Sequence, residues 1–275
     1  MHNLIINFTP TGMIPTKEMT PFVPLSPSEI IEEIHQAYEL GITIVHLHTR
    51  DKNGKPTYKA STYQKIIEGI RKHCLDLVIC TSLSGRTFGE FKKRSEVIEL
   101  KPDMGSLTLG SLNSLKVAIM NSPDMIKKLV FKMDEYGVKP ELEAFDSGMI
   151  NYVKYLIKKS ILKPPFYFNL IFGMIANAQA DLSYIGLAIK DLPENSYWSL
   201  GGVGDFQLRV NTLAIAFGGG VRVGLEDNIF YDRQRNKLAK NIELLKRIHD
   251  LAGIFERPIM DSKTFGNLGF YNKDR

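Results

Sequence analysis

Two histidines separated by one residue, His46 and His48, are the side chains whose spacing points most directly to chemistry. Side chains on a β-strand alternate between its two faces, so both imidazoles point the same way, about 6–7 Å apart along the strand. They end an apolar run and precede the loop 51–54. Two neutral imidazoles in that position can share one divalent metal ion. The alternative interpretation is a pair of histidines hydrogen-bonded inside the protein.

A third ligand should be a carboxylate at the end of another strand, because the other histidines are poorly placed. One is near the N-terminus and three fall in helical patterns: His2, His35, His73 and His249. Strand alternation puts Arg222, Gly224 and Glu226 on one face, with Glu226 at the strand's end. Two histidines and a carboxylate, with positions left open for water or substrate, form a catalytic metal site. Alternatively, Glu226 and Asp227 are a solvated carboxylate pair in a loop.

Two more strand patterns direct polar side chains to one face each. Cys80, Ser82 and Ser84 share a face in one pattern, and Glu141 and Glu143 share a face in another. Each of these groups alone is more often a core or rim residue than a catalyst. They gain significance if they converge with the histidines on one end of one fold.

The elements that must position these residues are eight short apolar runs, each followed by a helical pattern. The runs are residues 4–8, 42–48, 77–82, 104–109, 140–145, 166–172, 197–200 and 221–225. This alternation predicts an α/β fold, a (β/α)8 TIM barrel formed by residues 1–275 as a single catalytic domain. Barrel enzymes carry their active sites at the C-terminal ends of the strands, where the histidines fall. A doubly wound open sheet is the alternative, but no Gly-x-Gly-x-x-Gly follows the first strand.

The sequence also predicts where several helices begin and end. Residues 26–29 read Ser-Pro-Ser-Glu, a capping box with proline at the first helical position, and that helix should stop at Gly41. Ser122 and Pro123 open another helix, which should stop at Gly137. A late amphipathic stretch covers residues 241–248.

Composition narrows the class of protein. The 275 residues are 44% hydrophobic and 24% charged, which is ordinary for a soluble globular protein. The two cysteines, Cys74 and Cys80, are too few for a disulfide framework and predict a reducing compartment, the cytoplasm. No apolar run reaches the roughly 18 residues of a membrane span. The net charge of +5 is scattered, which argues against a nucleic-acid partner and suits an anionic ligand.

Read together, these residues resemble the β-keto acid cleavage enzymes, the family that includes 3-keto-5-aminohexanoate cleavage enzyme. The resemblance is carried by residues 11–12, 24–29, 46–51, 101–104, 140–143, 147–149 and 219–228. It implies a (β/α)8 barrel, assembled as a homotetramer. It also implies one zinc ion per chain (or another divalent transition metal) bound by His46, His48 and Glu226.

The resemblance further implies that a β-keto acid is condensed with acetyl-CoA, releasing acetoacetate and a new acyl-CoA. A metal ion on the β-keto oxygen acidifies the carbon between the two carbonyls. By the same resemblance, Asp227 takes that proton and is oriented by Arg222. Substrate-contact positions fall on three residues, Ser82, Gly85 and Ser106. Glu143 matches a polar active-site residue.

Two departures from the family pattern bear on the substrate. Members that use an amino-substituted keto acid carry an acidic residue where this chain has Ile14, which cannot neutralise an ammonium group buried in a pocket. Arg86 stands where members often carry a small residue. It forms a salt bridge on the rim, or it receives a second substrate carboxylate or a CoA phosphate. Short aliphatic or dicarboxylic β-keto acids are therefore the expected substrates.

Other functions stay open at this stage. A metal-dependent aldolase or hydrolase on the same barrel is the nearest alternative. Amidohydrolases, however, need further strand-end histidines, and Claisen-type metal lyases carry their His-x-His late in the chain. A non-catalytic barrel that binds a metal or ligand is the alternative from another class.

Overall fold

The computed structural model describes residues 2–275, and its centre is a closed barrel of eight parallel strands. Each strand pairs with its two neighbours in the sequence, and the first pairs with the last. The strands are β1 (Ile6–Phe8), β2 (Ile44–Leu47), β3 (Val78–Thr81), β4 (Met104–Thr108), β5 (Lys139–Ala144), β6 (Phe166–Phe172), β7 (Ser196–Gly202) and β8 (Gly220–Val223). The predicted barrel is confirmed, and the open-sheet alternative is wrong.

One helix follows each strand and packs on the outside of the barrel. These are α1 (Pro27–Leu40), α2 (Ala60–Arg71), α3 (Phe91–Ser95), α4 (Pro123–Glu135), α5 (Ser147–Lys158), α6 (Leu182–Lys190), α7 (Gln207–Ala216) and α8 (Asn241–Ile254). A short antiparallel hairpin, Leu112–Asn113 with Ala118–Ile119, lies between β4 and α4. Within residues 2–275 there is no helix with the length and apolar character that crossing a membrane requires.

The predicted helix boundaries agree with local backbone chemistry. The Ser26 side chain accepts a hydrogen bond from the Glu29 amide and the Glu29 carboxylate accepts one from the Ser26 amide, which completes the capping box. Gly41 follows α1 with a left-handed φ of 97°, a conformation that glycine adopts without steric cost. The late amphipathic stretch is longer than predicted, because α8 continues to Ile254.

The N-terminal end of the barrel is covered by the last segment of the chain. Helix α9 (Ser262–Phe265) and the turn Gly266–Phe270 place two phenylalanine rings there, stacked with centroids 4.3 Å apart. Both rings are fully buried and contact Tyr167 edge to face. This packing closes one end of the barrel and leaves the C-terminal ends of the strands as the accessible mouth.

Candidate active site

His46, His48 and Glu226 meet at the C-terminal mouth of the barrel. His46 lies in β2 and His48 one residue beyond it, so both imidazoles face inward. The two Nε2 atoms are 3.3 Å apart, and His48 Nε2 is 3.1 Å from Glu226 Oε1. Two ligands of a tetrahedral zinc ion with bonds of about 2.1 Å lie about 3.4 Å apart. These two distances fit one such ion, and the ligand atoms of the three residues all lie within 4.8 Å of one another.

The polar atoms around this triad also fit a cation. Glu226 Oε2 is buried and has no hydrogen-bond partner among the described residues. Burying a carboxylate oxygen without a partner is unfavourable, and a metal ion beside it would remove that cost. Two histidine nitrogens and a carboxylate are borderline donors that suit zinc. The residues predicted as the ligand set are therefore brought together in a suitable arrangement.

Beneath the triad, Glu141 holds His46 in one tautomer. His46 Nδ1 donates to Glu141 Oε2 over 2.6 Å, which directs Nε2 toward His48. Asn7 and Asn169 donate to the other carboxylate oxygen over 2.6 and 2.7 Å. A carboxylate behind a metal-binding histidine is the usual second layer of such sites. Strand alternation predicted that Glu141 shares a face with Glu143, but it predicted no role for Glu141.

Cys80, His46 and Glu141 also cluster, yet they make a poor second metal site. Cys80 Sγ lies 3.2 Å from Glu141 Oε2, the oxygen that already accepts the hydrogen bond from His46. The distance of 2.6 Å between His46 Nδ1 and Glu141 Oε2 is too short for two ligand atoms of one ion. The cluster is a hydrogen-bonded support for His46.

The charges of the site shift the pKa values of the buried groups in opposite directions. Burial alone would lower the pKa of His46, but the carboxylates of Glu141 and Glu226 outweigh it and raise that pKa to about 9. Burial would raise the pKa of Glu141, but the neighbouring His46 and Arg222 lower it to about 2. These carboxylates stabilise the protonated His46 imidazole. A metal ion at His46 Nε2 would therefore replace the proton that this nitrogen carries without a metal.

Arg222, from β8, connects three carboxylates at the mouth. Its Nη2 donates to Glu226 Oε1 over 2.8 Å and its Nε donates to Asp227 Oδ2 over 2.9 Å. Its Nη1 lies 3.6 Å from Glu143 Oε1. Burial raises the pKa of Asp227 against the opposing effect of the Arg222 guanidinium. Arg222 thus fixes the position of Asp227 directly beside Glu226.

The other predicted residues are distributed around the mouth. Glu143 is buried and accepts from Thr108 Oγ1 over 2.9 Å, and burial raises its pKa. Ser82 and His48 line the same small, solvent-open cleft, together with Tyr63 and Arg94. Ser106 Oγ accepts from the Leu83 amide over 3.1 Å, so it also supports the loop after β3. Gly85 lies in that same loop, where it faces the Arg94 guanidinium and the Met120 carbonyl.

The two residues predicted to set specificity differ in their placement. Ile14 is 54% exposed, while the neighbouring Met13 lines the cleft at His48. An ammonium group near Ile14 would keep part of its hydration, so placing it there would be less unfavourable than burying it in a closed pocket. Arg86 is half-buried and forms no ion pair with any residue in 2–275, although Glu226 and Glu143 oppose the lowering of its pKa by burial. The rim salt bridge of Arg86 is thus not present within residues 2–275, and its alternative role toward a substrate carboxylate or a CoA phosphate stays a prediction.

Known proteins are similar to this chain over nearly its whole length. The sequence model of the family described as beta-keto acid cleavage enzyme matches residues 3–266. The chain is 38% identical over 262 residues to the 3-keto-5-aminohexanoate cleavage enzyme of Fusobacterium nucleatum, covering 94% of each protein. It is 31% identical over 258 residues to the 3-oxoadipate:acetyl-CoA acetyltransferase of Cupriavidus necator, covering 93% of this chain and 90% of that protein.

Among solved structures, the apo structure of ObcA has the same barrel. It superimposes with a TM-score of 0.80 at 18% sequence identity. The match covers 92% of this chain and 66% of that one, so this chain spans just under two thirds of its length. At this identity the similarity concerns the fold alone.

Proposed function

This chain belongs to the beta-keto acid cleavage enzyme family, and from that premise we propose that it transfers the acyl group of a β-keto acid to CoA with zinc at His46, His48 and Glu226. The overall reaction is R–CO–CH2–COO⁻ plus acetyl-CoA giving acetoacetate plus R–CO–CoA. Two observations support this proposal: the three ligand atoms that converge at the mouth, and Asp227 held beside them by Arg222. The Cupriavidus relative is named for an acetyl-CoA-dependent reaction.

The zinc ion and Asp227 have different roles in the first step of the reaction. Zinc, when bound, acts as a Lewis acid on the β-keto oxygen and acidifies the carbon between the two carbonyls. Asp227 removes a proton from that carbon, using Oδ1, the oxygen that Arg222 leaves without a hydrogen bond. A buried carboxylate whose pKa is raised is a stronger base for this step than an exposed one.

Carbon–carbon bond exchange follows from the proton transfer. The resulting enolate carbon attacks the thioester carbonyl of acetyl-CoA, and the carbon–sulfur bond breaks to release CoA thiolate. The thiolate then attacks the original β-keto carbon, and the older carbon–carbon bond breaks. Its electron pair becomes the enolate of acetoacetate, which takes back the proton from Asp227. Atoms and charge balance over the two halves.

We propose a preference for neutral or dicarboxylic substrates over ammonium-bearing ones. Arg86 supports this, because its half-buried guanidinium has no ion-pair partner within residues 2–275 and interacts with the site carboxylates. Arginine presents a planar fork that matches a carboxylate. The Cupriavidus relative is named for 3-oxoadipate, a dicarboxylic β-keto acid.

We also propose that residues 1–275 act as a single catalytic domain in a homotetramer in the cytoplasm. Exposed apolar residues of α6 and the loop before it support self-association: Ile175, Leu182, Tyr184 and Leu187. Two free, buried cysteines are consistent with a reducing compartment. Light scattering on the eluting protein should give four times the monomer mass of 31.1 kDa, and a monomer would contradict the proposed assembly.

A panel of β-keto acids incubated with acetyl-CoA and followed by mass spectrometry tests the function. We expect acetoacetate and the matching acyl-CoA in equal amounts, lost after chelation and restored by zinc. Free acid without acyl-CoA would indicate a hydrolase. Zinc binding without turnover of any substrate would indicate a ligand-binding barrel.

A further inference from the structure

Arg50, directly after the histidine strand, is a buried cation with no carboxylate partner. It is 3% exposed and forms no ion pair with any residue in the described part of the chain. Its Nε and Nη2 donate to the Gly12 carbonyl over 3.1 and 2.6 Å. Nη2 also donates to the Pro15 carbonyl and Nη1 to the Gly54 carbonyl, each over 3.1 Å. All of its hydrogen bonds therefore go to loop backbone around the mouth.

The loop that Arg50 holds lies directly on Glu226. Gly12 has a φ of +63°, and a Cβ built there would come within 2.6 Å of Glu226 Cγ and 2.9 Å of its Cα. The Glu226 amide donates to the Thr9 carbonyl over 3.1 Å, which fixes the backbone on the same side. Only glycine fits this close approach in this backbone conformation. The position of Gly12 consequently limits where the Glu226 side chain can go.

We infer that Arg50 is a positioning residue for the metal ligand Glu226, acting through Gly12. Its guanidinium donates hydrogen bonds both to the loop after the histidine ligands, at Gly54, and to the loop that packs on the carboxylate ligand, at Gly12 and Pro15. One side chain thereby fixes the distance between the two halves of the ligand set. This rests on the proposed metal-dependent function. The hydrogen bonds of Arg50 reach only these two loops, so its loss should change the geometry of the ligand set.

Arg257 provides an internal control with the same chemistry at the other end of the barrel. It is buried, forms no ion pair within residues 2–275, and donates to carbonyls only: those of His2, Ala214, Ile215 and Gly219. None of these belongs to the metal ligand set or the loops that carry it. Loss of Arg257 should cost stability without changing the metal site.

The experiment measures the zinc dissociation constant by competition with a chromogenic chelator, for wild type, Arg50→Met, Arg50→Lys and Arg257→Met. Arg50→Met should weaken zinc binding by about 10–100-fold, the usual effect of losing an outer support of a metal ligand. Arg50→Lys should recover part of the affinity, because an ammonium group can still reach the Gly12 carbonyl. Arg257→Met should bind zinc as wild type does while its thermal midpoint falls.

A second pair of variants keeps the test informative if Arg50→Met does not fold. Gly12→Ala leaves Arg50 in place but pushes on Glu226, so it should also weaken zinc binding. Gly41→Ala introduces a similar left-handed strain, with its new Cβ no closer than 3.5 Å to a side-chain atom of His249, remote from the site, and should leave zinc affinity unchanged.

The outcomes separate this inference from the proposed function. Wild-type protein that binds no zinc would overturn the proposed function. Wild-type protein that binds zinc, with folded Arg50→Met or Gly12→Ala binding it equally well, would overturn only the role of Arg50. Equal weakening by Arg50→Met and Arg257→Met would also overturn it, because the effect would then be one of general stability.

Discussion

The two ends of the barrel use burial in opposite ways. At the N-terminal end the interior is filled mainly by apolar and aromatic side chains: Ile5, Ile44, Val78, Met104, Tyr167, Met260, Phe265 and Phe270. At the C-terminal mouth, Arg222 lies among three carboxylates, and Glu226 Oε2 and Arg222 Nη1 are buried without hydrogen-bond partners. One end gains stability from apolar contact, and the other retains desolvated charge.

This contrast separates the stabilising end of the barrel from the candidate active site. Barrel enzymes in general carry stabilising residues at the N-terminal face and catalytic ones at the C-terminal face. Variants of the mouth should therefore change metal binding or turnover while the protein stays folded. Variants of the closed end should change the free energy of unfolding while turnover by the folded protein stays the same.

Removal of a metal ligand is expected to have the largest effect. His46→Ala, His48→Ala and Glu226→Gln should each abolish turnover, because two remaining ligands hold zinc weakly. Metal analysis should show about one zinc per chain in wild type and much less in the variants, with unchanged circular dichroism. Full metal occupancy in the double histidine variant would refute the site.

Asp227→Asn should give the next largest effect. The amide keeps the shape and removes the base, so kcat should fall by about 10²–10⁴-fold, the usual contribution of general base catalysis. Zinc content should remain near wild type. If the variant loses its metal and still binds substrate, the roles of Glu226 and Asp227 are exchanged.

Phe270→Ala tests the opposite end of the barrel. Deleting this fully buried ring should lower the free energy of unfolding by about 3–5 kcal/mol, measured by chemical denaturation. Turnover of the folded fraction should match wild type. Phe131→Ala, at a position 58% exposed on α4, is the matched control and should change stability little. Lower turnover with unchanged stability would break the separation of the two ends.

Glu141→Gln should weaken zinc binding by about 10–100-fold, as loss of a hydrogen-bonded support behind a histidine ligand usually does. A glutamine amide would also face the donors that now surround the carboxylate. Glu143→Gln is the control, since Glu143 lies on the same strand face without contacting His46 directly. Equal zinc affinity in the two variants would remove Glu141 from the site's support.

The smallest effects concern substrate choice. Arg86→Ala should lower kcat/KM for 3-oxoadipate by about tenfold, equivalent to about 1.4 kcal/mol. The same variant should leave kcat/KM for 3-oxohexanoate unchanged. Ile14→Glu should raise kcat/KM for 3-oxo-5-aminohexanoate, relative to kcat/KM for 3-oxohexanoate, by only a few-fold, because position 14 is 54% exposed. Wild-type preference for the amino substrate would contradict the specificity proposal.

The sequence by itself determined the features that depend on local periodicity. Strand alternation placed His46 and His48 on one face, and the capping box and Gly41 set the limits of α1. Eight apolar runs followed by helical patterns gave the barrel, although the observed strands are mostly shorter than the runs. β2, for instance, ends at Leu47 and leaves His48 one residue beyond it. Periodicity identifies a face but not the residue where inter-strand hydrogen bonding stops.

Only the tertiary structure decided which distant residues support the ligands. Glu141 lies 95 residues from His46 in sequence, and Arg50 lies 38 residues from Gly12. The C-terminal rings that close the barrel carry no sequence pattern distinguishing them from an ordinary helix. Closing eight strands into a ring brings inward side chains of opposite strands within hydrogen-bond distance, and barrel radius and stagger set those pairings. No local pattern encodes them.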